Sequence, residues 1–371
     1  MTANPAFVQR VETVTASDAT MTARINPEVH KLSSYPLLDW LRFILASVVV
    51  FAHEGIAMPG PISGGLAVEV FLALSGWLIG GILIRTKPAE LPRFFYNRST
   101  RIWPPYFITA TLLYSLAALK DGIDTNWLKY FFYDFTFTHY TFTRFPQALT
   151  EMPLGGTGNH FWSISVEEQF YLFAPLIMVL LPIGRRFSVW AVVVGLLLAA
   201  QSQFAAIALG VTAAIFHSRY PIATGTARRH ALLAAVSALL LALTWQWNIR
   251  PIRALFALTV VLALTIPGSR RRIGVFAGAI SYPLYLNHWL GGFMIQFIAR
   301  YIEMSHTSEQ VLSYINSILV ATFAWFFIDR QILMRRSGWY TPAIGRICQV
   351  SAYGLLIAGL TGGGILLSMG Q

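Results

Sequence analysis

Several groups of residues carry reactive chemistry in surroundings that are otherwise apolar. In the stretch 36–57, Asp39, Arg42 and His53 stand in one apolar run. Eleven steps of 100° return to within about 20°, so Arg42 and His53 share one helical face about 16 Å apart. Histidine suits proton transfer at neutral pH. Further on, His160, Ser163, Glu167 and Tyr171 recur at steps of three or four and line one face of a helix. Ser281, Tyr285 and His288 repeat the pattern. Glu167 and Glu168 point about 100° apart, so one of them needs a cation or a proton. Glu69 sits alone in an apolar run that also carries Gly76 and Gly80, a spacing that lets helices approach closely. Arg98 and Arg101 abut a Pro104-Pro105 break, and two guanidiniums so placed suit a bidentate grip on phosphate.

The elements that position these groups are apolar. Of 371 residues, 56% are hydrophobic and only 12% charged, whereas soluble domains carry about 25% charged residues. An ordinary soluble enzyme is excluded. Apolar segments at 36–57, 65–84, 103–119, 161–182, 188–201, 203–218, 231–246, 252–267, 273–298, 310–328 and 346–369 lie near the roughly 20 residues that cross a bilayer. The expected fold is all-α: a polytopic transmembrane helical bundle of about 10–11 spans, in which the short pair at 188–218 sets the count. An ionisable group inside such a span is costly and marks a functional site. The single cysteine, Cys348, closes no intrachain bridge.

Net charge is +11, but the basic residues fall between apolar segments, which points to membrane orientation rather than nucleic acid. With the N-terminus cytoplasmic, 20 Lys and Arg lie on inner segments and six on outer ones: Lys120, Lys129, Arg144, Arg250, Arg253 and Arg300. An odd number of spans then puts the C-terminus outside. Residues 1–34 read as a polar, disordered cytoplasmic tail without a signal peptide, and 35–371 as the transmembrane domain. The outer loop of about 120–160 carries an aromatic run from Trp127 to Tyr140, suited to an interfacial belt or to stacking on a sugar ring. No metal site is expected.

Five ordered motifs together resemble the acyltransferase-3 family, integral membrane O-acyltransferases of bacterial type, over roughly 35–330. They are Leu38-Asp39-Trp40-Leu41-Arg42 leading to His53, the run Val68 to Gly76, Arg98-x-x-Arg101-Ile-x-Pro104, the run Phe161 to Tyr171, and Ser281 to Leu286 followed by His288. The resemblance implies transfer of an acyl group, commonly acetyl from acetyl-CoA, to a hydroxyl of a cell-envelope or exported glycan, in the inner (cytoplasmic) membrane. It gives His53 the essential histidine position, Arg98 and Arg101 the essential arginine pair, and Glu167 the acid of the Trp-Ser-x-x-x-Glu element. Two departures stand out: Phe43 where a small residue is usual, and Phe327–Gln331 without the customary Glu-x-Pro. With no appended hydrolase domain, no second acyl-handling site is expected.

The expected mechanism joins two ends. Acyl-CoA, made in the cytosol, has its phosphates held by Arg98 and Arg101, with Arg42 beside them. His53 is general base on the acceptor hydroxyl, oriented by Glu167 or Glu54, and Ser163 or Tyr285 donates to the oxyanion. Glu69, His160, Trp162 and His288 face the acceptor. A covalent acyl-enzyme on His or Ser is the other route. Rivals from other classes are a secondary transporter or flippase that uses intramembrane His, Glu and Arg as a proton relay, and a scaffold in which these groups only pair with one another. An inverted repeat would favour the transporter, and none is found.

Overall fold

A computed structural model of the chain describes residues 35–143, 145–220 and 226–369. The tail 1–34 and Arg144, both used in the orientation argument, lie outside them. Among the described residues there is helix and no strand. The main helices are α1 (Pro36–His53), α2 (Gly64–Leu83), α3 (Leu91–Asp121), α4 (Thr125–Phe135), α5 (Trp162–Pro175), α6 (Phe187–Ala199), α7 (Phe204–Arg219), α8 (Ala227–Trp247), α9 (Arg250–Ala263), α10 (Arg272–Ala299), α11 (His306–Ala324) and α12 (Pro342–Met369). The chain is an all-α, multi-pass membrane protein. Seven helical stretches among the described residues are long and apolar enough to cross a bilayer. The remaining apolar segments are helical too, but α6, α7 and α9 have only 13, 16 and 14 residues, or roughly 20–24 Å at 1.5 Å per residue.

Small residues decide which helices meet. A Cβ on Gly76 would lie 1.9 Å from the Ile207 carbonyl oxygen, and one on Gly210 would lie 2.2 Å from that of Ala73. The backbones of α2 and α7 are therefore in direct contact, which the Gly76/Gly80 spacing anticipates for one partner. On α10, Gly278 is filled by Asp39 of α1 and Gly291 by Ser317 of α11. These close crossings fasten α1, α10 and α11 into one group.

Two sequence expectations change in the structure. The Pro104-Pro105 pair does not break α3, which runs on through both prolines; their missing N–H groups release the carbonyls of Thr100 and Arg101 from the helical ladder. The aromatic run is not an open platform of rings. It folds into α4 and the short turn His139–Phe142, and it buries Tyr130, Tyr133, Asp134 and His139 almost completely. Asp134 is buried with its partners supplied. Its carboxylate accepts from Tyr114 at 2.6 Å and pairs with His139 Nδ1 at 2.7 Å, so the loop is a packed cap on α3 and α5.

Candidate functional site

The residues that the helical stepping singles out meet between α1, α2, α3, α5 and α10. Arg42, Arg98, Arg101, Ser75, Ser163, Glu167, Tyr171, Ser281 and Tyr285 line one cavity of about 130 Å³. Each helix contributes a face: α5 supplies Ser163, Glu167 and Tyr171, one turn apart, and α10 supplies Ser281 and Tyr285. The cavity wall is charged at one end and hydroxylic at the other.

At the charged end, Arg42 Nη1 lies 3.4 Å from Asp39 Oδ1, and Arg270 holds the same carboxylate at 3.0 Å. The i,i+3 pair is therefore real, but Arg270 is the closer partner, contributed from 231 residues away. Among the described residues neither Arg98 nor Arg101 makes an ion pair. Arg98 instead stacks its guanidinium over the rings of Tyr171 and Phe94, at 5.6 and 5.9 Å. Three guanidiniums thus face a cavity whose one lining carboxylate is Glu167, an excess of positive charge that suits a polyanion.

Glu167 accepts short hydrogen bonds from Ser75 and Tyr171 on the same oxygen. This knot ties α2 to α5, and Ser75 in it was a motif residue with no role assigned from sequence. Its neighbour Glu168 turns the other way and accepts from the Trp103 indole at 2.8 Å. At the hydroxylic end, the Tyr285 hydroxyl donates to the His160 carbonyl at 2.8 Å and meets Ser163 Oγ at 2.6 Å. A hydroxyl has one proton. Ser163 Oγ also lies 3.3 Å from the same carbonyl, so the two hydroxyls share one acceptor and either can donate to the other.

Behind this pair lie three histidines. The rings of His53 and His288 have centroids 4.9 Å apart and planes 4° from parallel. His160 stands edge-on to both, at 6.3 and 5.1 Å. His53 is exposed at the end of α1, whereas His288 has 0% exposure. His53 Nδ1 and His288 Nε2 are 2.9 Å apart, and the Trp289 ring lies 5.2 Å from that of His53. That pairing joins residues 235 positions apart; the only sequence signal for it was a histidine in each of two apolar spans.

Other expected site residues sit elsewhere. Glu69 faces α9, not the cavity, and pairs at 3.2 Å with both Arg250 and Arg253. A buried carboxylate needs a cation, and α9 supplies two. Trp162 packs against Tyr140, outside the cavity lining. Glu54 points to α10 and α11, with its carboxylate filling the space beside Gly292. Neither Glu54 nor Glu167 hydrogen-bonds the His53 ring. Among the described residues no group of three or more His, Cys, Asp or Glu is placed to hold a metal ion.

Residues 35–330 match the acyltransferase-3 family, described as an acyltransferase domain. A protein of Staphylococcus aureus strain COL, named provisionally as an O-acetyltransferase, is 29% identical over 237 residues, which is 57% of this chain and 35% of that protein. Nodulation protein 10 of Rhizobium leguminosarum bv. viciae is 28% identical over 174 residues, 40% of this chain and 44% of its own length. O-acetyltransferase OatA of S. aureus strain NCTC 8325 is 29% identical over 158 residues, covering 39% of this chain and 25% of OatA. The chain therefore spans about a third of the length of the S. aureus O-acetyltransferase first named. No solved structure matches. With four-fifths of its length inside the family match, the chain belongs to the acyltransferase-3 family.

Proposed function

We propose that this protein is a membrane-embedded O-acyltransferase that moves an acyl group, acetyl by preference, from cytosolic acyl-CoA to a hydroxyl of a cell-envelope or exported glycan. The observation that carries the reading is the cavity itself: arginines 42, 98 and 101 at one end, and at its Ser163–Tyr285 end the His160 ring, 5.5 Å from that of Tyr285 and 6.3 Å from that of the exposed His53. The relatives named as O-acetyltransferases support it. In this reading residues 35–371 form the catalytic membrane domain and 1–34 a cytoplasmic tail. The arginine end opens to the cytosol, and the membrane is the inner one.

The chemistry follows from charge and position. CoA carries its phosphates at the end of a flexible arm, so Arg98 and Arg101, with Arg42 beside them, grip the nucleotide end by charge-assisted bonds. The arm brings the thioester toward Ser163 and Tyr285. His53 removes the proton from the acceptor hydroxyl as that oxygen attacks the thioester carbonyl; collapse of the tetrahedral intermediate breaks the carbon–sulfur bond, and the CoA thiolate leaves and takes up a proton. Rotation of the Ser163 or Tyr285 hydroxyl out of its present bond supplies a donor to the oxyanion. Glu167 acts through Tyr171 and Ser75, shaping the donor channel, rather than on His53.

The test is mass spectrometry of envelope and exported glycans from cells with and without the gene. The reading expects an ester-linked acyl mass to vanish with the gene and return with the wild-type copy. An unchanged glycan acyl profile overturns the glycan acceptor.

A further inference from the structure

The hydrogen bonds around the histidine pair fix where protons must sit. His288 Nδ1 lies 2.9 Å from the Tyr285 carbonyl oxygen. A carbonyl only accepts, so Nδ1 of His288 carries its N–H. Among the described residues no carboxylate is within ion-pair distance of His288, so nothing holds a second proton on that ring, and a neutral imidazole has just one N–H. Its Nε2 is then a lone pair. That atom faces His53 Nδ1 at 2.9 Å, so the bond requires the proton on His53 Nδ1. The unprotonated nitrogen of His53 is consequently Nε2.

We infer that His288 is a positioning residue that sets the tautomer of His53, through the chain Tyr285 C=O to His288 to His53, and so makes His53 Nε2 the proton-accepting atom. This inference rests on the acyltransferase reading of the site and assigns His288 a place in it different from acceptor binding. The choice of ring nitrogen is set by the bond that the other nitrogen makes. His288 does for His53 what a carboxylate does for a histidine base elsewhere, with a neutral acceptor in place of a charge.

The surrounding packing holds the relay in place. Ser317 Oγ of α11 donates to the His288 carbonyl at 3.0 Å, and a Cβ on neighbouring Gly291 would meet Ser317 at 2.5 Å. One residue before, Asn287 accepts from Thr109 of α3 at 2.8 Å. His288 is therefore gripped from two sides, while His53 presents its remaining edge outward. His160 does not compete for the His53 proton. Its Nδ1 donates to the Thr157 carbonyl at 3.1 Å and no hydrogen bond joins it to His53.

Two substitutions separate acceptor from bulk. His288→Gln keeps an acceptor oxygen near the position of Nε2, and His288→Leu keeps volume without one. With purified protein in nanodiscs and acetyl-CoA as the donor, the turnover rate constant for acetyl-CoA should fall on the order of 10²-fold or more in His288→Leu, recover substantially in His288→Gln, and leave the KM for acetyl-CoA nearly unchanged in both. Nitrogen-15 NMR of histidine-labelled protein reads the tautomer directly, with His53 identified by its loss in His53→Ala. The expected result is a protonated, pyrrole-type Nδ1 and a pyridine-type Nε2 in the wild type, lost as a single state in His288→Leu. A pyridine-type His53 Nδ1, or equal turnover in the Leu and Gln variants, overturns the relay. Wild-type turnover in His53→Ala overturns instead the base assignment on which it rests.

Discussion

His53 is the residue on which the chemistry turns, and its position makes a clean experiment possible. It is exposed at a helix end, so His53→Ala should leave the yield of folded protein unchanged while transfer falls by about 10²–10⁴-fold, the range that positioned general bases contribute; transfer near the wild-type rate would remove the base from the account. Arg98 and Arg101 separate a phosphate grip from a topogenic charge. Lysine keeps the charge but loses the planar fork, so Arg98→Lys and Arg101→Lys should insert normally and raise the KM for acyl-CoA roughly tenfold or more, as lost charge-assisted bonds of about 1.5–3 kcal/mol imply. The KM for the acceptor should stay nearly constant, and an unchanged donor KM in both variants would move the donor site elsewhere. Residues on one helix were legible in the sequence, because Ser163, Glu167 and Tyr171 obey a fixed step and reach one cavity. Partners on different helices were not. Nothing in local spacing tells that Asp39 meets Arg270, that His53 meets His288, or that Glu69 meets Arg250 and Arg253.

Helices α2 and α7 give a test of how the site is framed, since α2 carries Ser75 to Glu167 on one side and touches α7 backbone on the other. Gly76→Ala puts a methyl group where the Ile207 carbonyl already stands. Overpacking of this kind costs typically about 1–3 kcal/mol, so thermal unfolding in detergent should shift down for Gly76→Ala. Gly81→Ala, in the same helix with open space beside it, should hold or rise because alanine is the better helix former; equal shifts in the two variants would mean that the close crossing does not bear on stability. The cap around α4 and His139–Phe142 has its own pH response. Burial acts to raise the Glu151 carboxyl, but hydrogen bonds from Lys129, Gln147 and Tyr130 outweigh it and hold the group below the ordinary glutamate value. A depressed carboxyl contributes stability above its unfolded value and loses it as pH falls through the folded one. Limited proteolysis of the cap should therefore quicken below about pH 4, and Glu151→Gln should flatten that dependence; identical pH profiles would assign the response to other groups. The helical character of this cap is in the i, i+3, i+4 spacing of the buried Tyr130, Tyr133 and Asp134, which is hard to see where nearly every neighbour is also aromatic.

Across the whole molecule, apolar runs made the set of helices readable, whereas their neighbours in space depend on long-range contacts that periodicity does not encode. The proposed orientation is tested by a membrane-impermeant thiol reagent on intact cells. It should reach a cysteine introduced at Thr125, the first residue of α4, and spare native Cys348 at the opposite end; the reverse pattern would invert the bundle. The central claim is that acyl groups leave CoA at the arginine end and arrive as esters at the His53 end. Inside-out membrane vesicles, given acetyl-CoA labelled in its acetyl group on the cytosolic face, measure this most directly. The account predicts that hydroxylamine-labile label accumulates in macromolecular material protected inside the vesicles when the wild-type protein is present and stays at background with His53→Ala. Equal labelling with both proteins, or ester label only on the face where acetyl-CoA was supplied, would contradict it.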